Sequence, residues 1–136
     1  MVLEVKVLIS SSVSGGDGGI LLVFDAGAQA TSMTLVSDTF TASTTPSTAR
    51  IVVFAELPDG LSDFTVSATR DNTNYDTITL TDEGYSAGSS GIKIFSGSTA
   101  LTGAAGGQPQ VQLRWKIVGT SLSNSNKIHG VALQWK

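Results

Sequence analysis

The segment "VQLRWKIV", residues 111–118, alternates between apolar and polar side chains over its first seven positions. The apolar residues are Val111, Leu113, Trp115 and Ile117, and the polar ones are Gln112, Arg114 and Lys116. Because successive side chains of a β-strand point to opposite faces, this period of two predicts a strand with one buried face. Trp115 is therefore predicted to lie in the core.

The same alternation, or a short apolar run, recurs along the whole chain between turn signals. The other predicted strands cover residues 3–9, 20–24, 33–43, 50–57, 63–69, 76–84, 91–97 and 127–135. Turn signals rich in Gly, Pro, Asn and Asp recur about every 8–12 residues, and no window shows the apolar spacing of a helix. The pattern predicts an all-β fold: an antiparallel β-sandwich, jelly-roll-like, with about eight or nine strands.

The beginning of the chain is predicted to be separate from the sandwich. The Gly/Ser-rich stretch "SSSVSGGDGG", residues 10–19, has the composition of a flexible connector. We therefore divide the chain into an N-terminal strand or arm with its linker, residues 1–14, and a β-sandwich module, residues 15–136. Val2 and Leu8 lie on the polar side of the first strand and are candidates for contact with a partner.

Charge and cysteine content limit the possible partners and cofactors. The chain has 8 Lys and Arg against 11 Asp and Glu, a net charge of -3, and no cysteine. Without a basic stripe to neutralise phosphates, nucleic acid is not an expected partner, and without thiolates neither a disulfide nor a thiolate metal site can form. The longest apolar run, residues 20–24, is far shorter than the roughly 20 residues of a membrane-spanning helix, so no membrane insertion is predicted.

The closing segment "KIHGVALQWK", residues 127–136, contains the only histidine. Its later apolar residues alternate, which predicts that Trp135 points into the core, but Ile128 has the wrong parity to join them. One extra residue would return Ile128 to the core face. A β-bulge is therefore predicted at His129 and Gly130, with Gly130 supplying a left-handed backbone. Like the tryptophans, these two residues are assigned structural roles.

The residues that carry chemistry in other proteins form no recognisable constellation. His129 has no second histidine or cysteine with which to share a metal, so it is expected to face solvent or to bond a neighbouring strand. Asp82 and Glu83 would face opposite sides of a strand and make a poor acid/base pair, so "TDEG" is interpreted as a strand end with an Asx-type turn. "RDNTNYD", residues 70–76, lacks the calcium-loop spacing and predicts a hairpin turn. No enzyme activity, metal or cofactor is predicted.

Two tyrosines are candidates for ligand contact. Tyr75 and Tyr85 fall in predicted turns, where an aromatic ring can stack on a planar ligand face such as that of a sugar. Exposed turn tyrosines also occur without any partner. The stacking role is therefore an alternative to a purely structural one.

Four stretches follow one another along the chain: "MTLVSDTFTASTTPSTARIVVFAE" (33–56), "SATRDNTNYDTITLTDEG" (67–84), "GQPQVQLRWKI" (107–117) and "KIHGVALQW" (127–135). Together they resemble a β-module of virion proteins in tailed bacteriophages, often found in tail-fibre and other appendage proteins. The resemblance implies a structural role on the virus particle, as one copy of several in a symmetric assembly, with a trimer favoured. It brings no catalytic residues.

Three functions from different classes follow from these observations. The favoured one is a non-enzymatic virion structural protein of a tail or fibre-type appendage, which assembles with copies of itself as a homotrimer and with other virion proteins. A capsid decoration protein is its nearest variant. The second is a carbohydrate-binding module for host-surface glycans, and the third is a glycan-cleaving or metal-assisted enzyme, against which the lack of paired carboxylates argues. A mean hydropathy of +0.18 leaves apolar side chains for an interface between copies.

Overall fold

The computed structural model describes residues 31–88, 91–104 and 110–136. In these ranges the chain forms nine β-strands and no helix. The strands are β1 (Ser32–Val36), β2 (Phe40–Thr41), β3 (Thr48–Glu56), β4 (Phe64–Thr69), β5 (Asp76–Ile78), β6 (Thr81–Ser86), β7 (Lys93–Ala100), β8 (Gln112–Thr120) and β9 (Lys127–Trp135). The predicted strands at 3–9 and 20–24 lie outside the described residues, as do the arm and the first part of the module.

The strands form two antiparallel sheets that pack against each other. The first sheet has the order β1-β8-β4-β5, with β2 also paired to β8, and the second has the order β6-β7-β3-β9. Every pairing between these strands is antiparallel. The predicted antiparallel β-sandwich is confirmed.

The inner faces of the two sheets supply the core. The second sheet contributes Ala49, Ile51, Val53, Ala55, Phe95 and Val131, and the first contributes Val66, Ala68, Ile78, Leu113, Trp115 and Ile117. Trp115 is only 3% exposed, so its predicted burial is confirmed. The alternation predicted this because β8 is an inner strand of its sheet, paired to β1 on one side and β4 on the other.

Two predicted strands are each divided in the structure. The strand at 33–43 is interrupted after β1, where the Ser37 hydroxyl accepts a hydrogen bond from the backbone N–H of Trp115 at 3.1 Å. The strand at 76–84 is divided because the chain passes from the first sheet to the second between β5 and β6. Gly97 on β7 permits this crossing, since a Cβ atom there would collide with the carbonyl oxygen of Thr79.

The predicted β-bulge in β9 is present. Gly130 pairs with Phe54 and Ile128 pairs with Ala55, so His129 is the extra residue and Ile128 packs against the core. The predicted left-handed backbone at Gly130 is wrong, because its φ is not positive. Gly130 instead lies next to one edge of the Phe54 ring, whose Cδ2 would be 3.4 Å from a Cβ atom at this position.

The predicted core position of Trp135 is only partly correct. Trp135 pairs with the buried Ala49 and its ring centroid lies 6.3 Å from that of Phe40 on the opposite sheet, so it does point inwards. It is nevertheless 40% exposed. The reason is its position at the end of β9, an edge strand, where the sandwich is open on one side among the described residues.

The connections cluster at two ends of the sandwich. We call one end the Asp59 pole; it carries the β3–β4, β6–β7 and β8–β9 connections. The other, the Asp71 pole, carries the β2–β3, β4–β5 and β7–β8 connections. This arrangement follows from the antiparallel pairings, and it determines which loop side chains can meet.

We expect Trp115→Ala to lower the free energy of unfolding by about 3–5 kcal/mol, because it removes a fully packed aromatic side chain from the core. Trp135→Ala should have a clearly smaller effect, because part of that ring already contacts solvent. Urea unfolding followed by far-UV circular dichroism measures both. Equal losses in the two variants would contradict the assignment of Trp115 to the core and Trp135 to its margin.

Candidate functional site

Asp59 joins two loops at the pole named after it. Its carboxylate accepts hydrogen bonds from the Ser123 hydroxyl at 2.6 Å, the Asn126 amide at 2.5 Å and the backbone N–H of Asn124 at 3.0 Å. These bonds, that from Ser123 foremost, hold the pKa of the Asp59 carboxyl well below its ordinary value. Asp59 is thus an anion that fixes the β8–β9 loop to the β3–β4 loop.

Asp71 organises the opposite pole in the same way. Burial raises the pKa of its carboxyl, but hydrogen bonds from Asn74, Thr73 and Ala104 outweigh burial and lower it well below its ordinary value. The backbone N–H groups of Thr73 and Asn74 donate to one carboxylate oxygen at 2.8 and 2.7 Å, and that of Ala104 donates to the other at 2.5 Å. Both carboxylate oxygens therefore accept hydrogen bonds from backbone N–H groups of the same chain, as an aspartate does in a turn.

Among residues 31–88, 91–104 and 110–136, no three His, Cys, Asp or Glu side chains lie close enough together to hold a metal ion.

The part of the chain that the structure describes contains no helix with the length and apolarity needed to cross a membrane.

His129 forms a hydrogen bond to the neighbouring strand. Its Nε2 lies 2.8 Å from Oε1 of Glu56, the last residue of β3, and Lys127 Nζ lies 3.6 Å from the other oxygen of Glu56. The hydrogen bond with His129 and the charge of Lys127 lower the pKa of Glu56. Among the described residues, Glu56 is the only side chain hydrogen-bonded to His129.

A cleft of about 510 Å³ opens beside this pair at the Asp59 pole. Its lining residues are Glu56, Leu57, Pro58, Gly60, Leu61, Asp82, Gly91, Lys93, Phe95 and Ser125. Lys93 Nζ lies 2.8 Å from Asp82, and this bond lowers the pKa of the Asp82 carboxyl. The cleft therefore combines an apolar floor with ionised groups of both signs.

Asp82 and Glu83 lie in the predicted Asx-type turn, but "TDEG" begins strand β6 instead of ending a strand. The Asp82 carboxylate accepts the backbone N–H of Gly84 at 2.9 Å, which is an Asx-type turn, and it lines the cleft. Glu83 instead accepts a hydrogen bond from the Ser96 hydroxyl. The two carboxylates have separate partners.

The two candidate tyrosines are not brought together. Tyr75 belongs to the β4–β5 loop, and the ammonium of Lys116 lies 4.0 Å from its ring centroid, so one face of the ring is occupied. Tyr85 was expected in a turn but lies in β6, in a bulge opposite β7, and is 71% exposed. The expectation failed because β6 resumes its pairing at Ser86, after the glycine. Val2 and Leu8 lie outside the described residues.

The outer side of the second sheet carries a surface that the sequence analysis missed. Because alternate residues of β3 from Ala49 to Ala55 are buried in the core, Val52 and Phe54 point away from it. Register places Ala132 of β9 beside Val52, and Ile94 of β7 beside Phe54. We call these four apolar residues, together with Gly130, the outer apolar face. Its signal in the sequence is "RIVVFAEL", residues 50–57, which is apolar in both phases of the alternation.

A second candidate surface lies along one side of the sandwich. The edges formed by β1 with β2 and by β9 meet there, as the contact between Phe40 and Trp135 shows. Val36 and Trp135 are 43% and 40% exposed, and Leu133 is half-buried. We call this side, with edge strands β1 and β9, the open flank. Within the described ranges neither edge strand has a partner on its outer side.

Comparison of the chain with known protein families, with curated proteins and with solved structures finds no match in any of the three. The functional interpretation therefore depends on the surfaces described above and on the sequence.

We expect Asp71→Asn to lower the free energy of unfolding at neutral pH by about 1–3 kcal/mol, because it weakens charge-assisted hydrogen bonds. A carboxyl whose pKa is lowered by folding stabilises the fold above its unfolded pKa of about 3.9 and loses this effect as pH falls further. The difference between variant and wild type should therefore shrink below about pH 4. Urea unfolding at several pH values measures it, with Asp38→Asn at an exposed position as the control. A difference that grows in acid would contradict the assignment.

Proposed function

We propose that this protein is a structural component of a tailed-bacteriophage virion, part of a tail or fibre-type appendage, and that it acts without catalysis. It assembles with copies of itself and attaches to other virion proteins. The resemblance of the chain to phage β-modules suggests this class. The observation that supports it best is the open flank, where β9 offers a nine-residue edge together with the half-exposed Trp135.

In this proposal residues 1–10 of one copy add as a strand to β9 of a neighbouring copy. The main-chain groups of an edge strand form ladder hydrogen bonds with an added strand, and alternate side chains enter the interface. At about 3.3 Å per residue, β9 spans roughly 30 Å, which a ten-residue strand matches. Leu3, Val5, Val7 and Ile9 would then cover Trp135 and Leu133 along the flank.

The apolar burial in this contact is of the same order as the cost of association. Burying four aliphatic side chains contributes roughly 6–12 kcal/mol at about 1.5–3 kcal/mol each. Association costs an estimated 4–15 kcal/mol, which the ladder hydrogen bonds help to offset. The number of copies is proposed as three on the resemblance alone. A capsid decoration protein would use the same contacts, and the copy number per particle distinguishes it from an appendage protein.

We expect deletion of residues 1–14 to leave a folded sandwich that no longer assembles through the open flank or attaches to particles. The deletion removes the proposed added strand and leaves every described core residue in place. Light scattering coupled to size-exclusion chromatography gives the mass, and co-sedimentation with virions tests attachment.

The matched control replaces Val5 and Val7 with Thr in the full-length chain, which retains strand propensity and removes apolar area. It should weaken assembly less than the deletion. A wild-type chain that stays monomeric at high concentration and does not associate with virions would sink the proposal.

The cleft at the Asp59 pole supports a second candidate, a carbohydrate-binding module for host-surface glycans. The apolar floor suits the carbon face of a sugar, the paired Asp82 and Lys93 suit its hydroxyls, and Tyr85 offers an exposed ring on the same strand as Asp82.

If this candidate is correct, a glycan array should give a signal that Tyr85→Ala reduces at least tenfold. Tyr75→Ala, at the other pole, serves as the control and should leave the signal unchanged. An array without any signal from the assembled protein would eliminate the carbohydrate function and leave the structural one.

A further inference from the structure

The open flank leaves core-facing side chains incompletely covered. Met33 and Leu35 of β1, Phe40 of β2 and Leu133 of β9 pack against the core, but each is only half-buried. Trp135 beside them is 40% exposed. Core-facing residues of the inner strands β3 and β8 are almost completely buried. The incomplete burial is therefore confined to the strands at this side of the sandwich.

The outer edge of β1 also has unused backbone donors. The N–H of Ser37 donates to the carbonyl of Trp115 at 3.0 Å, which continues the register of β1 with β8. Hydrogen-bonded and non-hydrogen-bonded pairs alternate in an antiparallel ladder, so the N–H groups of Thr34 and Val36 point away from β8. Among the described residues no strand lies on that side of β1. A strand added there would accept hydrogen bonds from both groups.

The position where the chain enters β1 limits which segment can reach this edge. The carbonyl of Thr31 accepts the backbone N–H of Leu122 at 3.0 Å, so the chain enters β1 at the Asp59 pole. Six residues, 25–30, separate Thr31 from the apolar segment "ILLVF", residues 20–24. Short connections usually join strands that are neighbours in a sheet, and a reversal at this point makes the two strands antiparallel.

We propose that residues 20–24 add to the free edge of β1 in the same chain, as an additional antiparallel strand of the first sheet. The segment has five residues, as β1 does. It is apolar at both odd and even positions, so either register places apolar side chains beside Leu35 and over the inner side of the flank. A run of this kind is typical of a strand that is covered on both faces.

β9 is the other free edge of the flank, and it lies about 10 Å away across the sandwich. β1 is the better partner because the connection has only to reverse, whereas pairing with β9 requires the chain to cross to the second sheet. With residues 20–24 on β1, residue 20 lies at the end of β1 that is nearer the Asp71 pole, and the linker leaves the sandwich from there. The edge of β9 stays available, so the inference does not rest on the proposed function of residues 1–10.

The test is amide hydrogen exchange of the full-length protein, followed residue by residue by NMR at several protein concentrations. The amides of Thr34 and Val36 should exchange slowly in the wild type, and equally slowly at every concentration. Replacing Leu21 and Leu22 together by Asp places a charge on each face of the segment and should speed the exchange of both amides by about tenfold or more.

The matched control replaces Ser11 and Ser12 together by Asp, which makes the same change in charge within the linker and should leave the exchange rates unchanged. The amide of Leu35 points towards β8, so it should stay slow in every variant and reports that the sandwich is folded. If the Asp variant does not fold, replacing Leu21 and Leu22 by Ser is a milder change with the same expected direction.

Three results would overturn the inference. The first is fast exchange of Thr34 and Val36 in the wild type, and the second is protection that increases with concentration, which would place a segment of a second copy on β1. The third is a variant that loses protection along β9 instead of β1. Failure of the arm contact is distinguishable, because deletion of residues 1–14 should abolish assembly and leave the protection of β1 intact.

Discussion

The structure depends on the packing of the inner faces of β3 and β8 across the two sheets. Ile51 and Val53 from β3 meet the layer that Trp115 and Ile117 form on β8, and all four are almost fully buried. Both strands have ladder partners on either side, so their backbone groups are satisfied without solvent. Every other element is attached to one of these two strands or to a direct neighbour, and the loops meet where the strands end.

Much of this arrangement follows from the alternation of side chains. In the described residues the period of two predicted where strands lie, the burial of Trp115 and, through one break of parity, the bulge at His129. What alternation cannot convey is the position of a strand within its sheet. Trp135 has the same parity as a core residue, but it lies on an edge, and its burial depends on what covers that edge. The division of the strand at 76–84 depended in the same way on a neighbour, because Gly97 of β7 admits the crossing chain.

The candidate surfaces were less accessible from the sequence, for a related reason. Residues 50–57 were interpreted as a strand. Apolar residues at both odd and even positions show that both faces of this strand are apolar, but they do not show what lies against the outer one. The outer apolar face becomes visible only when register places β7, β3 and β9 side by side. Tyr75 is the opposite case, in which the sequence suggested a binding surface that the structure restricts. Its motif suggested an available ring, but Lys116, about 40 positions later in the chain, covers one face of it.

Four of the carboxylates stabilise the fold as anions. Glu56, Asp59, Asp71 and Asp82 all have pKa values lowered by donors from their own chain, so they are anions at neutral pH. Here the negative charges stabilise loops and strand ends, and the unusual chemistry of the surface is its apolarity. A central strand that is apolar on both faces, as β3 is, resembles strands that are covered on both sides. The core covers one side of β3, and the outer apolar face lies on the other.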